Sequence, residues 1–145
     1  MSNFIPLYRA KVQDHKLNLD KIEQFTELID GKRYAIGLLC GKGRHIEVTK
    51  GDTTTFLIID QSTLAIHFPD MLDSQGNKIF VSLSENGKGG DICEYKDWDS
   101  DYEDEFLNKG ICLFLEFKVS FTNRYEVQME EIDFKNDVKV IGIQK

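Results

Sequence analysis

Turn-forming residues cut this chain into pieces too short for most architectures. Gly41-Lys42-Gly43, Lys50-Gly51-Asp52, Asp73–Asn77, Asn86–Gly90 and Asn123-Arg124 each separate short apolar runs rich in Val, Ile, Thr and Phe. Such runs, bounded by Gly, Asn and Asp, read as strands joined by tight turns. A parallel sheet would need a helical crossover of about a dozen residues between successive strands. The chain offers one helical pattern, Leu19–Ile29, where Ile22, Phe25, Leu28 and Ile29 recur near helical spacing and Gly31 follows as a stop signal. The expected fold is therefore mainly β, a small barrel or sandwich of short antiparallel strands with one short N-terminal helix.

The strands can be placed from pattern. Phe4–Val12 predicts a first strand, interrupted by Pro6 as an edge strand or strand start would be. Arg33–Cys40 is apolar, with Gly37 inside it marking a bulge or a close backbone approach. His45–Thr49 and Thr54–Asp60 form a hairpin around Lys50-Gly51-Asp52, and Leu64–Phe68 is a short strand ended by Pro69. Lys78–Leu83 alternates, placing Ile79, Val81 and Leu83 on one face. Asp91–Tyr95 is short, and Gly110–Thr122 is the longest strand candidate. Arg124–Met129 and Val138–Ile143 close the chain. A length of 145 residues fits one domain, 1–145, able to bury roughly 70% of the surface of its unfolded chain.

Charge is unevenly spread. The net charge is −7, and Glu94–Glu105 alone holds seven acids against Lys96, a net of −6. Lys32–Lys50 runs the other way, with Lys32, Arg33, Lys42, Arg44 and Lys50 against Glu47, a net of +4. A block of like charges is expected to stay a solvated loop. An acidic chain disfavours general nucleic-acid binding, since that affinity rests on neutralising phosphates with Lys and Arg. Cys40, Cys93 and Cys112 are odd in number and scattered, which argues for a reducing compartment and small core residues rather than disulfides. The opening MSNFIPLYRAK lacks the apolar run of a signal peptide, and Phe56–Ile59 is too short to span a bilayer. These features place the protein in the cytoplasm, with no membrane partner.

Several blocks, in order, carry a resemblance. Tyr8-Arg9-Ala10-Lys11 is similar to an F-R-[GA]-[KR] start, and Tyr34-Ala35-Ile36-Gly37 to a W-x-x-G strand. Met71–Phe80 followed by Gly90-Asp91-Ile92 resembles G-L-x-D-x-N-G-K-x-I-[FY]-E-G-D-I-V, and Asp137–Gly142 a closing V-I-G-N segment. Together they resemble the YopX family of small phage and prophage proteins. The chain departs from that pattern by the inserted Val81–Gly89 and a lengthened Gln13–Gly31 connection. The resemblance implies a β-rich barrel, SH3-like or related, in a bacterial host, and it transfers no catalytic residue and no cofactor. Asp73–Asn77, Gly90 and Asp91 read as turn chemistry.

Three segments are candidates for chemistry. Asn86–Gly90, NGKGG, is a glycine loop with a lysine that could cradle a nucleotide or phosphate through backbone N–H groups. It lacks the G-x-x-x-x-G-K-[ST] spacing that leads into a helix, and the plainer reading is a turn. Asp97, Asp99 and Asp101 open like a calcium loop, but Tyr102 stands where the sharp turn needs Gly and Asn108 where a bidentate Glu belongs. They are weak metal candidates, and a solvated acidic loop is the simpler account. The third reading is a partner surface made of Asp97, Trp98, Asp99, Asp101, Tyr102 and Glu103, since aromatics set among charges can anchor an interface. It would meet a basic host protein or the Lys32–Lys50 segment of a second copy, or would act as an acidic nucleic-acid mimic. His15, His45 and His67 lie far apart, with His67 expected on the strand face opposite Ile66 and Phe68. Asp133 and Asp137 form a carboxylate pair that nothing in the sequence brings to a pocket. With no complete catalytic or metal motif, the sequence points to a non-enzymatic binding or accessory protein.

Overall fold

The computed structural model describes residues 6–13, 23–84, 86–99, 101–115, 118–122, 127–128 and 138–144. Within them the chain is mainly β, and twelve strands form one hydrogen-bonded network. In chain order these are β1 (Leu7–Lys11), β2 (Glu27–Ile29), β3 (Lys32–Cys40), β4 (His45–Lys50), β5 (Thr53–Ile58) and β6 (Ala65–His67). β7 (Val81–Ser82), β8 (Asp91–Asp99), β9 (Asp104–Leu115), β10 (Lys118–Thr122), β11 (Val127–Gln128) and β12 (Val138–Ile143) follow.

β1 is the hub. It follows Pro6, whose missing N–H suits a strand start. It pairs antiparallel with β3 on one side and with β6 on the other. Through β3 the chain continues to the meander β3–β4–β5, and through β6 to β7, β9, β10 and β11. The β7–β9 contact, Ser82 beside Leu113, is parallel; the other strand pairs are antiparallel. The end of β5 comes back to β1. Val12 and Ile59 form a bridge, the Gln13 N–H donates to the Ile58 carbonyl at 3.0 Å, and the Asp60 N–H donates to the Lys11 carbonyl at 2.8 Å.

Two apolar clusters lie along this frame. One joins Ile66, Ile79, Val81, Cys93, Tyr95, Cys112 and Val138. The other joins Ala10, Val12, Phe25, Ala35, Ile46, Leu57 and Ile59. Tyr8 of β1 packs against both. Each fully buried Ile or Val contributes roughly 1.5–3 kcal/mol, so the strand ends that carry them fix the register.

The β4–β5 hairpin turns at Gly51-Asp52 as expected, with Lys50 opposite Thr53. Four expectations change. The Leu19–Ile29 helix is reduced to a helical turn at 23–25 among the described residues, and Glu27–Ile29 is strand. The reason is Asp30-Gly31. With φ of 51° and 79°, the pair makes the two-residue turn whose twist suits a hairpin, so the glycine read as a helix stop closes β2 onto β3, Ile29 opposite Lys32. Gly110–Thr122 is not one strand, because β9 and β10 fold against each other from Leu115 opposite Lys118 to Ile111 opposite Thr122.

Lys78–Leu83 does not alternate between inside and outside. Ile79, Phe80, Val81 and Ser82 are all buried and Leu83 is exposed, because Ile79 and Val81 enter an apolar cluster while Phe80 packs over the Arg9 guanidinium and the Ser82 hydroxyl donates to the Lys88 carbonyl.

The acidic segment Glu94–Glu105 is not a loop. β8 and β9 form a long hairpin in which Trp98 stands opposite Glu105 and Asp99 opposite Asp104. Cross-strand alternation separates most of the like charges that lie close in sequence. Glu94 stands opposite Lys109, Lys96 opposite Leu107 and Asp97 opposite Phe106.

Gly37 shows how tightly the meander is built. A side chain there would strike the Glu47 carbonyl of β4, which leaves glycine as the fitting residue. Gly37→Ala should lower stability by about 1–3 kcal/mol, the usual cost of an overpacked site. A urea midpoint indistinguishable from wild type would contradict this close approach.

Candidate functional site

The most ordered polar constellation grows from two charged residues, one in the middle of a strand and one at a strand start. Arg9 is flanked by Tyr8 and Ala10 on β1, and Asp91 opens β8 before Ile92 and Cys93. Their strands do not pair with each other, yet the fold brings the two side chains together. Arg9 Nη2 donates to Asp91 Oδ1 at 2.7 Å and to the Gly89 carbonyl at 2.9 Å, while the Phe80 N–H donates to Asp91 Oδ2 at 2.8 Å. The two side chains are 6% and 1% exposed. The guanidinium carbon lies 4.4 Å from the Phe80 ring centroid and 5.8 Å from that of Tyr34. Arg9 is thus held by an ion pair at one edge and by aromatic rings over its faces. Its Nε is buried with no hydrogen-bond partner. Burial pushes the Asp91 carboxyl above the usual carboxylate range, and Arg9 and the Phe80 N–H pull it back.

A second carboxylate organises the neighbouring turn. Asp73 Oδ1 accepts from the Gln75 and Asn77 N–H groups at 2.9 and 2.8 Å, and Oδ2 accepts from the Val140 N–H at 3.0 Å. The Ser74 N–H donates to the Val138 carbonyl at 2.7 Å. The turn residues 73–77 are therefore stapled to β12. Burial opposes ionisation of Asp73, but the N–H groups of Val140, Asn77 and Gln75 outweigh it and hold the carboxyl below its ordinary 3.8.

Between these anchors lies a groove of about 570 Å³. Arg9, Asp91, Phe80 and Ile36 line it, together with Glu27, Ile29 and Asp30 of β2 and its turn. Gly76, Asn77, Lys78 and the β12 residues Val140–Ile143 complete it.

The sequence-derived candidates fall elsewhere. All six residues of the expected partner surface gather at the end of the β8–β9 hairpin. Asp97, Trp98 and Asp99 are its last β8 positions, and Asp101, Tyr102 and Glu103 make the exposed turn. The side chains of Asp97, Trp98 and Asp99 lie outside the described set. Among the described residues no group of three or more His, Cys, Asp or Glu is placed to hold a metal. His15, Asp133 and Asp137 also lie outside the described residues.

NGKGG keeps its donors occupied. The N–H groups of Gly87, Lys88, Gly89 and Gly90 donate to the Ser84 carbonyl, Asn86 Oδ1, the Gln144 carbonyl and the Gly87 carbonyl. Lys88 Nζ meets Ser62 Oγ at 3.2 Å. Cradling a phosphate on that backbone would require breaking these bonds. Gly90 is fixed by close packing, since a Cβ there would meet the Cys112 carbonyl.

His67 is not on an open strand face. It is buried, with Nδ1 at 3.0 Å from the Ile79 carbonyl and its ring 5.6 Å from that of Phe80. Cys93 and Cys112 are core residues as expected, and burial pushes both thiols far above their ordinary range, which removes them as nucleophiles.

Sequence reasoning named Arg9 and Asp91 as parts of separate blocks and missed that they pair. The available signal was slight: Arg9 stands between Tyr8 and Ala10, and Asp91 directly precedes Ile92 and Cys93. No protein-family model, curated protein or solved structure matches this chain.

Removing one partner of a buried ion pair leaves the other uncompensated and costs about 3–5 kcal/mol. Asp91→Asn should therefore lower the free energy of unfolding by about that amount in urea titrations; a loss well under 1 kcal/mol would show that Arg9 does not depend on this charge. Asp73 gives a pH signature. A carboxyl whose folded pKa is lowered stabilises the fold above its unfolded value, and that contribution is lost as pH falls through the folded value. Unfolding free energy should drop as pH falls below the ordinary 3.8 of a free Asp carboxyl, and Asp73→Asn should flatten that limb. An unchanged acid limb in the variant would remove Asp73 as its source.

Proposed function

We propose that this chain is a YopX-like phage or prophage protein that acts in the cytoplasm of a bacterial host by binding another protein, with the end of the β8–β9 hairpin as the contact surface. The observation that carries the reading is the isolation of that hairpin. Among the described residues, 96–99 and 104–107 pair only with each other, whereas Asp91–Tyr95 also pair with β12 and Ile111–Leu115 with β10. A two-stranded arm with both edges open offers backbone donors and acceptors as well as side chains.

Its exposed chemistry suits a basic partner. Asp101, Glu103 and Asp104 are exposed, Tyr102 is 82% exposed at the turn and Leu107 is 62% exposed on β9. Acidic side chains around an aromatic anchor steer a positively charged surface and then bury apolar area on contact. The basic residues Lys32, Lys42, Arg44 and Lys50 of the β2–β5 region are exposed on this same chain, which gives a second copy the complementary sign.

Two features support the remaining parts of the reading. The return of β5 to β1 through the Val12–Ile59 bridge is what a small SH3-like barrel would need. The buried Arg9–Asp91 pair and the Asp73 turn join the sequence blocks that resemble the family, so those blocks would define a fold rather than a reacting centre.

The test is retention of protein partners by immobilised chain at low and at high salt, beside light scattering of the chain alone. A partner, host protein or second copy, should be held at low salt and released at high salt. Tyr102→Ala should weaken it by about 2 kcal/mol, and Asp101→Asn with Glu103→Gln should flatten the salt dependence. A partner held equally by all variants would place the contact elsewhere.

A further inference from the structure

The groove over Arg9 has the makings of a ligand site distinct from the hairpin. A guanidinium has five N–H donors. The hydrogen bonds of Arg9 leave from Nη2, to Asp91 and Gly89, and Nε is buried without an acceptor. Phe80 and Tyr34 lie over the ring-like faces of the guanidinium and Asp91 holds one edge, so the group is fixed in place before anything binds. Both Asp91 oxygens are already engaged, one by Arg9 and one by the Phe80 N–H. The chain itself supplies no acceptor to Arg9 Nε.

The groove carries charges of both signs. Lys78 stands on the turn that leads to Phe80 and adds a second cation to Arg9 in the lining. Glu27 and Asp30 belong to β2 and its turn and supply two anions. Lys78, Glu27 and Asp30 are all exposed, so their charges are free to meet a ligand. The walls between are aliphatic, made of Ile29, Ile36, Val140, Ile141 and Ile143. A simple anion would be drawn by Arg9 and Lys78 but repelled by Glu27 and Asp30, and a simple cation would meet the reverse. A molecule carrying both charges at its two ends satisfies every group.

We propose that this groove binds a small aliphatic zwitterion, a free amino acid or a short peptide. The carboxylate accepts from Arg9 and lies near Lys78, the ammonium donates to Asp30 or Glu27, and the aliphatic part lies on the isoleucines. A volume of about 570 Å³ falls within the range of small-molecule sites and admits either source of that chemistry.

Calorimetric titration tests this with leucine, leucyl-leucine, and leucyl-leucine blocked either as the C-terminal amide or as the N-acetyl derivative. At least one unblocked probe should bind, and blocking either end should weaken binding roughly tenfold or more, as loss of a charged hydrogen bond does. Leucine binding as tightly as the dipeptide identifies a free amino acid as the ligand, and preference for the dipeptide identifies a peptide. Lys78→Gln should weaken the unblocked probe and the N-acetyl probe but leave the amide unaffected. Asp30→Asn combined with Glu27→Gln should weaken the unblocked probe and the amide but leave the N-acetyl probe unaffected. These three positions are on the surface, so folding of the variants can be verified by circular dichroism. No heat of binding at millimolar probe, or binding indifferent to both end blocks, overturns the proposal.

Discussion

The ion pair between Arg9 and Asp91 is the constraint around which the rest of the structure is arranged. A buried charge costs several kcal/mol unless it is paired and its remaining hydrogen-bonding positions are filled. Asp91 meets that condition with the Arg9 Nη2 and the Phe80 N–H, and Arg9 meets most of it with Asp91, the Gly89 carbonyl and two aromatic faces. These contacts tie β1, the start of β8, the residue before β7 and the Gly89-Gly90 turn to a single point. Moving any of those segments by one residue would strand a charge, and moving a strand by one residue also turns its core side chains outward.

The same logic runs through Asp73. Three backbone N–H groups and one amide converge on its carboxylate, and one of them belongs to β12, far along the chain. A turn built from Asp, Gly and Asn would be a local device if it ended there. By accepting from Val140 it becomes a long-range clamp that sets one wall of the groove. Two carboxylates, Asp91 and Asp73, thus fix parts of the groove lining, and isoleucine and valine side chains make up much of the rest.

The molecule divides its polar chemistry between two places. Near β1 the charges are buried, paired and geometrically fixed, which suits selection of a small ligand by shape and charge. At the end of the β8–β9 hairpin they are exposed, and among the described residues its strands pair only with each other, which would suit recruitment of a larger partner by charge. NGKGG belongs to neither, because its N–H groups close the loop on itself and on Gln144.

Much of the β architecture was legible in the residues, because turn chemistry and alternation are local properties. Lys50-Gly51-Asp52 turns where its composition says, Val138–Ile143 is a strand as its pattern says, and Cys93 and Cys112 are in the core as small apolar residues should be. The errors share one cause. Gly31 was consistent with a helix stop or a hairpin turn until β3 was available to pair with β2. Glu94–Glu105 looked like a repelling loop until β9 supplied Lys109, Leu107 and Phe106 opposite its charges. Lys78–Leu83 alternates in sequence, yet Ile79–Ser82 is buried on both sides because Ile79 and Val81 enter the apolar cluster while Phe80 covers Arg9 and the Ser82 hydroxyl bonds the Lys88 carbonyl. The sequence by itself determined that this chain would make short strands joined by tight turns. Which charges would be buried, and against what, was decided only in the tertiary structure, because Arg9 and Asp91 lie on strands that do not pair and meet only when the whole sheet has assembled.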